Sequence, residues 1–274
     1  MKSCVEWRKS FEFKDEIDEF NIYFKDKEKE LIYFVEKYST SHRINIRIPV
    51  DISDNQLNLL VAIADKYKNI AIVFNWYTLE DNEEAYNKIK KANIPFYFTY
   101  CIDNWDELLG FCDLGVSDVY ITGELGFDLK RVANIVHMKG IQIRAYVDAA
   151  QEGWGIGRDG FKAFYVRPED IDIYEKYIDI IEFYNSWGDT NRINTLFKIY
   201  FHDKEWNGNL QEIISGLKVR VNGYYILGTE FGRRRTECQR RCMKGERCRL
   251  CDRLLEMAET IENKKGVDLV KKEV

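Results

Sequence analysis

Four of the seven cysteines in this 274-residue chain fall within fourteen residues: Cys238, Cys242, Cys248 and Cys251, spaced C-x3-C-x5-C-x2-C. Thiolates this close can wrap one tetrahedral cation, and Zn2+ accepts four sulfur ligands at about 2.3 Å. The C-x2-C half is a chelating knuckle. C-x3-C also fits iron–sulfur sites, so a 4Fe-4S cluster is the alternative to Zn2+. A closed zinc site would be structural and would staple a segment too small to fold alone, whereas a cluster could carry electrons. Unligated thiols or local disulfides are the remaining reading. The cysteines sit in RRRTECQRRCMKGERCRLCDR, residues 233–253, where nine Lys or Arg face three carboxylates for a net of +6. These cations help keep the thiols ionised. The whole chain has a net charge of −5, so the remainder carries −11. A basic segment on an acidic body suits a nucleic-acid backbone, a protein partner, or docking onto the body itself.

A second set of polar residues lies in or just after β-rich stretches. In 43–48, Ile44, Ile46 and Ile48 alternate with Asn45 and Arg47; in 141–148, Ile141, Ile143, Ala145 and Val147 alternate with Gln142, Arg144, Tyr146 and Asp148. Period two puts each set on its own face. If the apolar faces meet helices, Arg47, Arg144, Tyr146 and Asp148 enter the interior of the sheet, where Glu182 or Asn185 could face them. Two buried arginines need carboxylates such as Asp148, Glu124 or Glu182, or an anionic ligand. One reading is an internal salt-bridge network that only fills the interior. The other is a polar pocket at the strand C-termini. It gives Glu124, Asp148 and Arg167 catalytic roles and leaves the substrate to Arg47, Asn75, Arg144 and Asn185. The histidines His42, His137 and His202 read as structural or exposed, and Cys101 and Cys112 as core thiols. No nucleophile elbow, HExxH, Walker A or Ser/His/Asp order is present.

The elements that must carry these residues alternate between strand and helix. Strands are predicted at 19–24, 43–48, 69–75, 95–101, 117–122, 141–148, 161–166 and 178–185, each rich in β-branched and aromatic residues. Leu31, Phe34, Val35 and Tyr38 recur at helical spacing, as do Leu57, Leu60, Val61 and Ala64, and Leu129, Val132, Ala133 and Val136. Ser53 with Gln56 and Asn104 with Glu107 have the spacing of capping pairs. Eight strands with intervening helices predict a (β/α)8 TIM-like barrel, with an open doubly wound sheet as competitor. The stretch 149–160, AAQEGWGIGRDG, is too short and glycine-rich for a helix, so one crossover helix is expected to be missing. The barrel is expected over 15–205, with 1–14 adding a strand beneath it. A C-terminal Cys4 metal-binding appendage is expected over 206–264, and 265–274 as a frayed tail.

At 45% hydrophobic and 32% charged residues, the chain can bury a core and stay soluble. The first twenty residues lack an apolar run, which predicts no signal peptide, and no stretch is long enough for a membrane span. A reducing, cytoplasmic setting is the expectation, in which clustered cysteines bind metal.

LGVSDVYITGELGFDLKRVANIVHMKGIQIRAYVDAAQ, from Leu114 to Gln151, resembles the collagenase-like peptidase family (family U thirty-two), which has a leucine-glycine-valine, apolar strand, glycine-acid-leucine-glycine passage. GFKAFYVRPEDI, from Gly160 to Ile171, is similar to the family's next strand and helix start. The arginine-rich approach to Cys238 and Cys242 is similar to its cysteine segment. The resemblance covers about a quarter of the chain. It implies a TIM-like barrel and, as in several members, hydroxylation of RNA bases or quinone precursors with cysteine-bound iron–sulfur clusters. Glu124, Gln151, Arg167, Cys238 and Cys242 stand at the matching places. The chain departs from the family where FYNSWGDT, residues 183–190, replaces the usual paired cysteines; Cys248 and Cys251 instead complete a local set of four, which favours zinc. A metal-cluster enzyme modifying RNA or a small metabolite is one expectation. A non-catalytic protein that binds nucleic acid or a protein through a zinc-stapled basic tail is the other. A protease is third, without a nucleophile–base pair to support it.

Overall fold

The computed structural model describes residues 1–24, 27–75, 83–102, 104–121, 129–146, 168–183 and 190–204. Eight parallel strands close a ring in chain order: β1 Lys2–Glu6, β2 Glu19–Tyr23, β3 Arg43–Arg47, β4 Ile70–Phe74, β5 Phe96–Ile102, β6 Asp118–Ile121, β7 Gln142–Tyr146 and β8 Ile180–Phe183. Between them run α1 Glu28–Tyr38, α2 Asp54–Lys66, α3 Glu83–Lys91, α4 Trp105–Leu114, α5 Leu129–Met138 and the one-turn α6 Ile171–Tyr174. After β8 comes α7 Thr190–Phe197, which continues as a π-helical turn over Lys198–Asp203. Parallel strands need such crossovers, and a ring of them leaves no open sheet edge.

Local chemistry sets the boundaries. Ser53 starts α2 with a reciprocal box: its Oγ accepts from the Gln56 N–H at 3.4 Å, and the Gln56 side-chain Oε1 accepts from the Ser53 N–H at 3.0 Å. Asn104 Oδ1 accepts from the Glu107 N–H at 2.9 Å at the head of α4. That helix stops at Gly115, whose φ of +81° is a left-handed conformation that costs a residue without Cβ little. Most of the predicted apolar stripes bury: Leu31, Phe34 and Val35 on α1, Leu57 and Leu60 on α2, and Leu129, Val132, Ala133 and Val136 on α5, with Tyr38, Val61 and Ala64 half-buried beside them. They meet the outward face of the staves, including Ile44, Ile46, Ile72, Phe98, Val119 and Ile143.

The strand expected beneath the barrel is a stave of it. β1 pairs in parallel with both β2 and β8, Cys4 lying beside Glu19 on one side and Glu182 on the other. The barrel therefore begins at Lys2 rather than at residue 15. The segment 161–166, expected as the seventh stave, lies outside the described residues, and the ring closes without it because β7 is hydrogen-bonded directly to β8. The helix-poor stretch 149–160, the appendage 206–264 and the tail 265–274 also lie outside the described residues. Among the described residues no helix is long and apolar enough to cross a membrane.

Candidate functional site

Registered neighbours in a parallel sheet share a face, so the pairings sort the inward set around the ring. Glu19 registers with Arg43, Asn21 with Asn45, Tyr23 with Arg47, Arg47 with Val73 and Val73 with Tyr97. Tyr97 registers with Asp118, Tyr120 with Arg144 and Tyr146 with Glu182. The outward face is apolar and the inward face is ionic and aromatic, the arrangement expected from the alternation around Arg47 and Arg144.

Three levels of contact fill the interior. At the N-terminal end of the strands, Arg43 grips Asp118 with both terminal nitrogens, Nη1 to Oδ1 at 3.0 Å and Nη2 to Oδ2 at 2.6 Å, and Nη1 also donates to Gln142 at 2.9 Å. In the middle, the fully buried Arg144 donates Nε to Asp118 at 2.9 Å, Nη1 to Glu182 at 3.5 Å and Nη2 to Glu19. Its guanidinium lies 4.4 Å from the centroid of the Tyr97 ring. Asn45 donates to Glu19 at 2.9 Å, Asn21 donates to Glu182 at 2.7 Å, and the Cys4 thiol donates to Asn21 at 3.3 Å. Toward the C-terminal end, Arg47 donates Nη2 to Glu182 at 2.7 Å and Nη1 to the Tyr23 hydroxyl at 2.9 Å. Tyr120 donates its hydroxyl to Glu182, and its ring stacks on Tyr146 with centroids 4.5 Å apart and planes 7° from parallel.

Arg43, Arg47 and Arg144 therefore meet Glu19, Asp118 and Glu182, three charges against three. This balance makes the burial tolerable, since an unpaired ion in a low dielectric costs several kcal/mol. Burial works against each arginine cation, but the carboxylates outweigh it and hold Arg47 and Arg144 well above the ordinary value. Burial likewise opposes the Asp118 carboxylate, and Arg144 and Arg43 overcome it, so this group is lowered. Tyr97, Tyr120 and Tyr146 are pushed well up by burial, and Cys4 by burial and then Glu182. Cys101 is pushed up to about 12 for the same two reasons. These hydroxyls and thiols stay protonated, and Tyr97, Tyr120 and Cys4 serve as donors.

Three buried polar atoms of this interior have no hydrogen-bond partner among the described residues: Glu19 Oε1, Asn45 Oδ1 and Arg47 Nε. The first lies 3.6 Å from Arg43 Nη1. The third belongs to the last residue of β3, which is 9% exposed. Tyr23 beside it is 49% exposed. The C-terminal mouth thus presents a desolvated arginine under a half-open aromatic ring, 5.3 Å from the guanidinium to the ring centroid.

Of the residues assigned to a pocket from sequence, Arg47 and Arg144 meet on Glu182, and Asn75 is exposed one residue past β4. Glu124, Asp148, Gln151, Arg167 and Asn185 lie outside the described residues, as do Cys238, Cys242, Cys248 and Cys251. Among the described residues no group of three or more His, Cys, Asp and Glu could hold a metal ion. Glu19, Asn21, Cys4, Asp118, Tyr97 and Tyr120 belong to the network without having been assigned to it. The signal was present: Glu19, Asn21 and Tyr23 alternate in phase with Arg43, Asn45 and Arg47. The histidines are remote structural partners. His42 Nδ1 lies 2.7 Å from the Ile17 carbonyl, His137 pairs with Asp179 at 2.9 Å, and His202 pairs with Glu16 at 2.7 Å.

Fold and interior together define a closed parallel α/β barrel with a charge-neutral polar lumen and an arginine–tyrosine mouth. No family model matches the sequence, and no curated protein matches it significantly.

Proposed function

We propose that this chain is a divergent barrel enzyme of the collagenase-like peptidase kind that acts at its C-terminal mouth on an anionic substrate, a small metabolite or an RNA. The observation that supports this is Arg47. Its Nε is buried without a hydrogen-bond partner among the described residues, at the strand ends where barrels keep their sites. An oxyanion is the partner such a donor suits best, and Tyr23 offers the adjoining surface. Glu124 and Asp148 follow β6 and β7 in the chain and supply the acid–base groups, and Arg167 a further cation. Asn75, Gln151 and Asn185 complete the substrate contacts. The resemblance over Leu114 to Gln151 and Gly160 to Ile171 is the ground for the reaction class.

Cys238, Cys242, Cys248 and Cys251 would hold Zn2+, a donor set of four thiols among cations that suits this ion. Bound there it would supply structure, stapling the basic segment. An iron–sulfur cluster would supply electron transfer instead. Purification without oxygen followed by elemental analysis separates the two. One zinc per chain in a colourless protein fits the stapled segment, and a brown, iron-loaded protein fits the cluster. Absence of both metals overturns the metal centre. The anion site is tested separately by titrating the protein with small oxyanions, and failure of Arg47→Gln to weaken their binding overturns it.

A second reading is a non-catalytic protein that contacts nucleic acid or a protein through residues 233–253. It is favoured by an interior whose ions already satisfy each other. It requires binding that weakens with salt and disappears when residues 233–253 are removed.

A further inference from the structure

The connection from β1 to β2, residues 7–18, is described throughout and contains no helix, whereas each of the other connections between staves carries one. Its own backbone bonds are two short turns, Phe11 N–H to the Arg8 carbonyl and Glu16 N–H to the Phe13 carbonyl, both 3.1 Å. Yet it is packed: Phe11 is 2% exposed and Ile17 3%. The segment that follows β8 holds it. The Ser10 hydroxyl lies 3.1 Å from that of Thr190, and the Glu12 N–H donates to Oδ1 of the buried Asn194 at 3.0 Å. Phe13 stacks on Phe197 with centroids 5.0 Å apart, and Phe11 meets the same ring edge-on at 5.6 Å. The π-helical turn, closed by the Lys204 N–H on the Ile199 carbonyl at 2.8 Å, brings His202 against both Phe13, at 5.0 Å, and Glu16, at 2.7 Å. The other side of this helix covers β8, with Phe183 5.6 Å from Tyr200 and 6.1 Å from Phe201.

Neither partner is built to stand alone. An eight-residue helix is marginal in water without a face to pack on, and a strap with two turns has no ladder of its own. Each stave, by contrast, is bonded to a neighbour on both sides around the ring. The bonds from Ser10 to Thr190 and from Glu16 to His202 are exposed, and water can replace them. We infer that residues 8–18 and 190–203 form a clasp, a conformational device that opens and closes as one unit while the ring of staves stays shut. Opening uncovers Phe11, Phe13, Phe183 and Phe197 together. Lys204 precedes the stretch that leads to Cys238, so along the chain the clasp stands between that stretch and the staves.

The test is native-state hydrogen exchange of the full chain, followed by mass spectrometry at rising urea below the unfolding transition. Peptides covering 8–18 and 190–203 are expected to share one opening free energy and one urea slope, both smaller than those of peptides covering β4 and β5. Asn194→Ala is expected to speed exchange of both clasp peptides by the same factor, about fivefold, and to leave β4 and β5 unchanged. Phe13→Leu, on the opposite partner, is expected to speed both in step as well. Different slopes for the two clasp peptides overturn the inference, as does exchange of either only with the slope of β4 and β5. A Phe13→Leu effect confined to the strap also overturns it. The wild-type slopes decide the matter even where a variant does not fold.

Discussion

Asp118 shows how much a single buried group depends on its partners. It is 1% exposed, yet it accepts from both terminal nitrogens of Arg43 and from Nε of Arg144. Those cations outweigh burial and lower its folded pKa below the unfolded value of about 3.9. A group lowered in the folded state contributes stability above the unfolded value and loses it as pH falls through the folded one. The stability difference between wild type and Asp118→Asn is therefore expected to be constant above about pH 5 and to shrink steadily below about pH 4. Above that range its size is expected to be about 3–5 kcal/mol, the cost of leaving buried arginines undercompensated. Urea midpoints measured across pH, with the slope checked for constancy, read both quantities. A difference that persists unchanged to pH 2 would mean that folding does not lower the Asp118 pKa.

At the level of elements, the closure of the barrel turns on its least obvious stave. β1 reads KSCVE, only five residues with a charge at each end, and it lacks the β-branched run that marks IAIVF in β4 or FYFTYCI in β5. Local propensity therefore does not distinguish it from a loose terminus. Its position is decided by pairing with β2 and β8, which is a property of the closed ring. Staves such as β3 and β7 were legible because alternation and composition agree in them, and the same alternation put Arg47, Arg144 and Tyr146 on the inward face. Their partners were harder to read. Glu19 and Asp118 open their strands rather than end them, and that both meet Arg144 depends on distances across the lumen that no local pattern encodes. Removing residues 1–7 exposes the backbone edges of β2 and β8 at once. The truncated chain is expected to lose its cooperative unfolding transition and to self-associate, which circular dichroism melting and size-exclusion chromatography detect. A monomer that still melts in one sharp step would mean that β1 is dispensable to the ring.

Taken as a whole, the molecule separates its charges by depth as well as along the chain. Among the described residues the lumen holds three arginines and three carboxylates and contributes nothing net, while along the chain −11 outside residues 233–253 stands against +6 within them. The ring itself is complete between Lys2 and Phe183, and the described helices pack apolar residues on it. The strand pairings that close the barrel all lie between Lys2 and Phe183, before Cys238, Cys242, Cys248 and Cys251. If these cysteines staple only their own segment, metal removal should be invisible to the barrel. Cys238→Ser with Cys242→Ser is expected to abolish bound metal while leaving the main unfolding midpoint unchanged. Native binding of the basic segment to anionic polymers should weaken in the same variant, because an unstapled segment must be ordered on contact. Calorimetric melting and elemental analysis of the same samples decide the point. A barrel that melts earlier in proportion to the metal lost would show that the four thiols hold the whole fold rather than an appendage to it.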